Sequence, residues 1–168
     1  MGLLTFGLTV TLDGCCDHRV GIADDELHDH FTELMESAWP AVARDENAPR
    51  ATREWARKLE AKPKYVVSAS RRDFPWNNTF RVEGDLHEAV RQLKAKTPQG
   101  VLVGSPMLSA ALERLGLIDE YRLVLHPVLA GHGPTLFQGL EPSRHLELVS
   151  TKRLKSGALA LHYRRKAG

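Results

Sequence analysis

Residues 101–126, VLVGSPMLSAALERLGLIDEYRLVLH, decide the fold of this 168-residue chain. Two apolar runs predict strands over Gly100–Val103 and Tyr121–Leu125, and the amphipathic segment between them predicts a helix over Met107–Leu115. A Gly104-Ser105 turn joins the first strand to the helix. Strand, helix and strand in this order are typical of a parallel sheet, whose ligands bind beyond the carboxyl ends of the strands.

The rest of the chain continues this alternation and then changes character. Its end carries two extended runs around Lys155-Ser156-Gly157, which predict a hairpin. We therefore expect one α/β domain over residues 1–168, with a mixed, mostly parallel sheet and a C-terminal antiparallel hairpin. The predicted strands are Leu3–Leu12, Lys64–Ser70, Thr79–Val82, His145–Leu154 and Ala158–Arg164; the predicted helices are Asp24–Trp39, Ala51–Ala61 and one that starts at Gly84-Asp85.

Composition argues against several classes of protein. Hydrophobic residues make up 42% and charged residues 26% of the chain, and the formal net charge is only +2, so neither a nucleic acid nor a membrane is an expected partner. No apolar run approaches the roughly 20 residues that span a bilayer. Cys15 and Cys16 are adjacent, which suits reduced thiols in a cytoplasmic protein better than a structural disulfide.

The Gly104-Ser105 turn allows two interpretations. The backbone N–H groups of Ser105 to Leu108 could face a pyrophosphate at the start of the helix, where Pro106 is well tolerated although it removes one donor. Alternatively, glycine simply marks the end of the strand.

A second possible phosphate site follows the predicted strand that ends at Ser70. Arg71 and Arg72 beside small hydroxyl residues could hold a phosphate monoester, such as the ribose 2′-phosphate that distinguishes NADPH from NADH. Two solvated arginines on a polar turn are an equally good explanation.

The histidines and cysteines predict no metal site. His28 and His30 are two residues apart and would lie on nearly opposite faces of a helix. His126, at a strand end before Pro127, is either a general acid or, more commonly, a structural hydrogen-bonding residue.

Four motifs together resemble the RibD C-terminal-domain family of dihydrofolate-reductase-like proteins over nearly the whole chain. They are TLDG (Thr11–Gly14), KYVVS (Lys64–Ser68), VLVGSPML (Val101–Leu108) and DEYRLVLHPVLAGHGPTLF (Asp119–Phe137). The resemblance implies a dihydrofolate reductase-like three-layer sandwich, NADPH as cofactor, a small-molecule substrate and a homodimer.

The resemblance also implies a set of site residues. Thr11 and Asp13 would lie near the nicotinamide and the substrate and form the candidate catalytic pair. The strand end and turn from Val103 through Leu108 would meet the pyrophosphate and the nicotinamide side, and Ser68–Arg71 the adenosine 2′-phosphate. The implied cofactor residues are thus Ser68, Ala69, Ser70, Arg71, Val103, Gly104, Ser105, Pro106, Met107 and Leu108.

The sequence departs from the family after the first predicted helix. Such proteins usually have a second strand there, ending in a Gly-Arg-x-Thr-Tyr-like turn at the cofactor phosphates. The segment from Phe31 to Pro40 contains no match, and roughly fifteen residues are missing, more than ordinary loop variation. Two functions follow as hypotheses: an NADPH-dependent reductase, or a non-catalytic dimeric small-molecule-binding relative that has lost dinucleotide binding.

Overall fold

A computed structural model of the chain describes residues 1–17, 50–68, 72–74 and 77–166, without the side chains of residues 51, 52 and 55. Residue contacts divide it into two compact units: Met1–Ala23 with Val90–Gly168, and Asp24–Ala89. The described helices are α1 (Arg50–Ala61), α2 (Leu86–Lys96) and α3 (Pro106–Arg114); the strands are β1 (Leu4–Thr11), β2 (Lys64–Val66), β3 (Thr79–Arg81), β4 (Val101–Val103), β5 (Glu120–His126), β6 (Leu146–Arg153) and β7 (Leu159–Arg165).

The first unit is built on a five-stranded sheet in the order β4-β1-β5-β7-β6. β1 is parallel to both β4 and β5, and Thr11 at the end of β1 is in register with His126 at the end of β5. β7 is antiparallel to both β5 and β6. The predicted fold class, mostly parallel with a C-terminal antiparallel hairpin, is confirmed.

The core of this unit lies on both faces of β1 and β5. Phe6 and Tyr121 are register partners on one face, and Val124 is fully buried on the other. The ring of Phe137 packs edge-on against both Phe6 and Tyr121, with centroid distances of 5.2 and 6.1 Å. Burial on both faces explains why β1 and β5 read as apolar runs.

Helix α3 has clear start and stop signals. Ser105 is extended, its hydroxyl accepts a hydrogen bond from the Leu108 N–H at 3.3 Å, and Pro106 takes the first helical position. At the other end Gly116, with φ of 69°, donates to the Glu113 carbonyl, and Leu117 donates to that of Leu112. This pair of bonds is a Schellman motif, which turns the chain back toward β5.

The second unit contains helix α1 and a separate parallel pair of strands, β2 and β3. The buried Lys64 ammonium donates to the carbonyls of Leu59, Glu60 and Lys62 at 2.9–3.2 Å. A cation therefore satisfies carbonyl groups at the end of α1, where the helix dipole favours positive charge. β2 is shorter than the predicted strand and stops at Val66.

Most predicted elements that can be compared agree to within one or two residues at their ends. The helix predicted to start at Gly84-Asp85 begins at Leu86, and the Asp85 side chain accepts a hydrogen bond from the Glu88 N–H at 3.0 Å, as in a capping box. The hairpin turn contains Gly157 with φ of 86°. The helix predicted over Asp24–Trp39 lies outside the described residues. The segment Phe31–Pro40, which lacks the second strand usual in the family, lies outside them as well.

Candidate functional site

The sheet order brings three loops together at one edge of the first unit. Because β4, β1 and β5 are adjacent and parallel, the residues that follow each strand emerge on the same side. Thr11-Leu12-Asp13, Gly104-Ser105 and Pro127–Gly131 are these residues. We call this the carboxyl edge. It contains the candidate catalytic pair and the candidate turn for the cofactor's pyrophosphate.

Asp13 joins the loop after β1 to the loop after β5. Its Oδ2 accepts a hydrogen bond from the Gly131 N–H at 2.8 Å, and its Oδ1 accepts one from the Ala130 N–H at 3.2 Å. The Thr11 hydroxyl also donates to Oδ1. A backbone hydrogen bond also joins the two loops, because the Leu12 N–H donates to the Val128 carbonyl at 2.8 Å.

These donors fix the protonation state of Asp13. The hydrogen bond from Thr11, with those from Gly131 and Ala130, lowers the pKa of Asp13 from 3.8 to about 2. The carboxylate is exposed and ionised at neutral pH, so it can orient a ligand or accept a hydrogen bond but cannot supply a proton.

Thr11 lies beneath this carboxylate. Its side chain is buried, and its hydroxyl accepts a hydrogen bond from the Cys15 N–H at 3.0 Å while donating to Asp13. This arrangement suits a positioning residue, which holds Asp13 and the turn to Cys15 in place. Catalytic roles for Thr11 and Asp13 stay predictions.

The β4–α3 turn offers a surface for a ligand. Val103 is buried, whereas Gly104, Ser105 and Met107 are exposed. A Cβ at Gly104 would lie 3.4 Å from the Gly7 carbonyl oxygen, so a side chain there would crowd β1. The Leu108 N–H is already bonded to the Ser105 hydroxyl. A bound phosphate would have to use the other amides of the first turn or displace that hydroxyl.

His126 is buried at the end of β5. Its neighbours in the ladder are Thr11 on β1 and, in the chain, Pro127, which begins the loop toward Gly131. Because His126 is only 1% exposed, burial favours the structural interpretation over a general acid.

Three exposed apolar side chains lie at the carboxyl edge; Met107 was among the cofactor residues implied from sequence, whereas Leu12 and Leu129 were missed. Leu12 follows β1, Met107 begins α3 after β4, and Leu129 follows β5; they are 60%, 87% and 72% exposed. Single exposed leucines are common, but three on adjacent loops of one edge indicate a surface for an apolar ligand. Their shared position depends on the strand order, which no local pattern reveals.

The second predicted phosphate site is only partly described. Ser68 is half-buried in the second unit, and its carbonyl accepts a hydrogen bond from Arg81 Nη2 at 3.2 Å. Ala69, Ser70 and Arg71 lie outside the described residues, and Arg72 is exposed. The assignment of Ser68–Arg71 to a 2′-phosphate stays a prediction.

The described residues show no metal-binding cluster and no helix long and apolar enough to cross a membrane. Both cysteines are free thiols: Cys15 is buried, and Cys16 Sγ lies 3.2 Å from the Pro134 carbonyl oxygen. Burial and the neighbouring Cys15 raise the pKa of Cys16, which keeps it in the unreactive thiol form.

Sheet order defines an α/β protein whose candidate ligand site lies at the carboxyl ends of three parallel strands. The family model for the RibD C-terminal domain matches residues 5–160. The chain belongs to this family.

One relative and two solved structures show how far the sequence and the fold are shared. The Bacillus subtilis (strain 168) protein called "Uncharacterized protein YyaP" is 27% identical, over 93% of this chain and 91% of its own length. A Shewanella sp. PV-4 structure named for riboflavin biosynthesis is 18% identical, with a TM-score of 0.69 over 98% of this chain and 99% of that one. A pyrimidine reductase-like protein of Corynebacterium diphtheriae is 15% identical, with a TM-score of 0.67 over 99% and 93%.

Proposed function

We propose that this chain is an NADPH-dependent reductase that transfers hydride to a small substrate with a conjugated C=N or C=O group. Pterin- and pyrimidine-like compounds are the first candidates, because the family includes reductase domains and one similar fold is named pyrimidine reductase-like. The observation that carries the proposal is the meeting of the Thr11–Asp13 turn and the exposed Gly104-Ser105 turn on adjacent parallel strands.

The residues at the carboxyl edge fit a dinucleotide. Gly104 and Ser105 would lie against the pyrophosphate, with the first-turn amides of α3 as donors, and Met107 and Leu12 offer apolar surface for the nicotinamide side. Ser68–Arg71 would hold the 2′-phosphate. When bound, NADPH supplies the hydride.

The protein's own part is to orient the two reactants and exclude other chemistry. Thr11 and the Ala130 and Gly131 amides keep Asp13 ionised and in one position. Since Asp13 holds no proton at neutral pH, the reduced nitrogen or oxygen of the substrate takes its proton from water.

A non-catalytic, dimeric small-molecule-binding relative is the second candidate. One sequence feature favours it: residues 31–40 lack the Gly-Arg turn that usually contributes to the phosphate site. The hydrogen bond from the Leu108 N–H to the Ser105 hydroxyl also favours the non-catalytic relative, because it occupies an amide that a phosphate would use.

Titration of the protein with NADPH and NADH, followed by nicotinamide fluorescence and thermal shift, tests the proposal. We expect NADPH to bind more tightly than NADH. The double variant Arg71→Ala/Arg72→Ala should weaken NADPH binding about tenfold or more, because a charge-assisted phosphate bond contributes about 1.5–3 kcal/mol, and should leave NADH binding unchanged.

A matched control is Arg153→Ala on the exposed strand β6, which should bind both dinucleotides like the wild type. Binding of neither dinucleotide at millimolar concentration would instead favour the non-catalytic relative.

A further inference from the structure

The sheet face opposite Phe6 and Tyr121 carries charged and hydroxyl side chains on three neighbouring strands. Because side chains alternate along a strand and register partners share a face, these polar residues lie together. They are Thr5, Thr9 and Thr11 on β1, Glu120, Arg122 and His126 on β5, and His162 and Arg164 on β7. All but Arg164 are buried or half-buried, so apolar packing alone does not account for this face.

Glu120 is the buried anion of this face, and two arginines share it unequally. Its Oε1 accepts a hydrogen bond from Arg164 Nη2 at 3.2 Å, which supplies one compensating positive charge. Arg122 Nη2 lies 3.8 Å from Oε2, which is beyond hydrogen-bonding distance. The charge of Arg122 is therefore only weakly compensated within this cluster.

Two nitrogen atoms of the cluster are buried and, among the residues that the structure describes, have no hydrogen-bond partner. One is Arg122 Nε, and the other is His162 Nε2, which lies 3.2 Å from Glu120 Oε2 but outside hydrogen-bonding geometry. The His162 side chain is 9% exposed and that of Arg122 is 30% exposed, so the pair can be reached from one side. Buried donors without partners are rare in proteins, and a polar ligand would satisfy them.

The row of the sheet that contains Arg122 offers different surroundings on its two sides. Its register partner on β7 is His162, and its register partner on β1 is Gly7. A Cβ at Gly7 would meet Leu102 Cδ1 at 3.0 Å, so the nearest side chain at that position is apolar. A carboxylate suits this row, because its two oxygens can accept hydrogen bonds from a guanidinium group while its carbon chain lies toward Leu102.

We propose that Arg122 and His162 form a binding site for the carboxylate group of a small organic acid. Arg122 would bind the carboxylate through its guanidinium group, and His162 Nε2 would donate a further hydrogen bond. One negative charge balances the weakly compensated charge of Arg122, whereas Glu120 would repel the second charge of a dianion such as sulfate. Arg122 precedes the last residue of β5 by four positions, about 13 Å along the strand, so this site is separate from the turns of the carboxyl edge and does not depend on the cofactor.

Acetate and acetamide are matched probes for this site, because they are similar in size and only acetate is charged. NMR of the full chain, with the ionic strength held constant by chloride, follows the Arg122 Nε–H signal and the His162 ring signals. The Arg122→Lys variant identifies the Nε–H signal by its loss. We expect acetate to shift these signals with a dissociation constant of about 10–100 mM, as expected for a charge-assisted hydrogen bond.

The other probes define the chemistry that the site accepts. Acetamide should leave the signals in place, and sulfate should bind severalfold more weakly than acetate. The proposal is overturned by any of three results: no saturable shift with acetate, an equal shift with acetamide, or tighter binding of sulfate. NADPH is absent from these samples, so failure of the proposed reductase activity does not affect the outcome.

Three substitutions assign the binding to Arg122. Arg122→Gln should abolish the acetate-dependent shift of the His162 ring signals, whereas Arg153→Gln on the exposed strand β6 should retain it. Arg164→Gln should weaken acetate binding severalfold, because Glu120 then has only Arg122 to compensate its charge among these two arginines. An acetate shift of His162 that persists in Arg122→Gln would contradict the assignment, and the wild-type comparison of acetate with acetamide decides the question even if that variant does not fold.

Discussion

At the scale of single residues, the candidate site depends on contacts between positions far apart in the chain. Asp13 is recognisable from sequence as a polar residue after a strand, but its partners Ala130 and Gly131 lie 117 and 118 residues further on. The repeated glycines at 131 and 133 were the available signal, because both adopt positive φ, at 70° and 93°. The Gly131 N–H donates to Asp13, whereas Gly133 lies against Cys15, and these positions follow only once β1 and β5 are known to be neighbours.

The buried His162 predicts how the stability of the protein depends on pH. Burial, followed by the nearby Arg122, lowers the pKa of His162 below its ordinary 6.5, although Nε2 lies 3.2 Å from Glu120 Oε2. The folded state therefore favours the neutral ring. The stabilisation from the neutral His162 ring is complete above the pKa that this residue has in the unfolded chain. It declines as the pH falls below that pKa, because the unfolded chain then binds more protons than the folded one.

Thermal unfolding measured between about pH 7.5 and 5.5 checks this expectation. The wild type should lose stability toward the acidic end, and His162→Gln should show a flatter profile over the same window. His145→Gln, at an exposed position, should follow the wild type. Equal slopes for wild type and His162→Gln would contradict the assignment.

At the scale of elements, a buried ionic network ties α3 to the sheet. The Glu113 carboxylate is buried and accepts hydrogen bonds from Arg165 Nη2 at 2.8 and 2.9 Å and from the Tyr121 hydroxyl. Arg144 Nε lies 3.6 Å from the same carboxylate. Burial and the bond to Glu113 raise the pKa of Tyr121, so this phenol stays protonated as a donor.

We expect Arg165→Met to destabilise the protein by about 3 kcal/mol, because removing one partner leaves a buried charge incompletely compensated. The value lies at the lower end of the usual range, since the Arg165 side chain is 30% exposed and Arg144 remains. The adjacent Arg164→Met is the control: its side chain is 56% exposed, and it should cost less than about 1 kcal/mol. Urea unfolding measures both, and similar losses would refute a special role for the network.

At the scale of the whole molecule, the sequence predicted the elements and turns that depend on neighbouring or periodically spaced residues. Alternating strands and helices, the Ser105-Pro106 helix start and the glycine-containing hairpin turn were visible, because each depends on neighbouring residues. The early end of β2 at Val66 was not visible, because KYVVS continues to look like a strand beyond its last pair with β3. The apolar and negatively charged character of the carboxyl edge emerged only from the strand order.

The edge of β6 that faces away from β7 is a candidate surface for contact between two copies of the chain. In the part of the chain that the structure describes, β6 ends the sheet, and all eight of its residues are exposed, including Leu146, Leu148 and Val149. A bulge between Leu148 and Ser150 and the charges of Lys152 and Arg153 are features that can also protect an edge. Three exposed apolar residues on one edge strand nevertheless favour an interface.

We propose that β6 pairs antiparallel with β6 of a second copy and that this contact forms the homodimer implied by the family resemblance. The segment LELVSTKR is acidic at its start and basic at its end, so a two-fold axis between Val149 and Ser150 would place Glu147 opposite Lys152 of the partner. Either Glu147→Lys or Lys152→Glu then creates two like-charge pairs per dimer and should raise the dimer dissociation constant about tenfold. The double exchange restores both pairs and should recover association, which sedimentation velocity over a concentration series measures. A wild type that stays monomeric, or a double variant no better than either single one, would exclude this register.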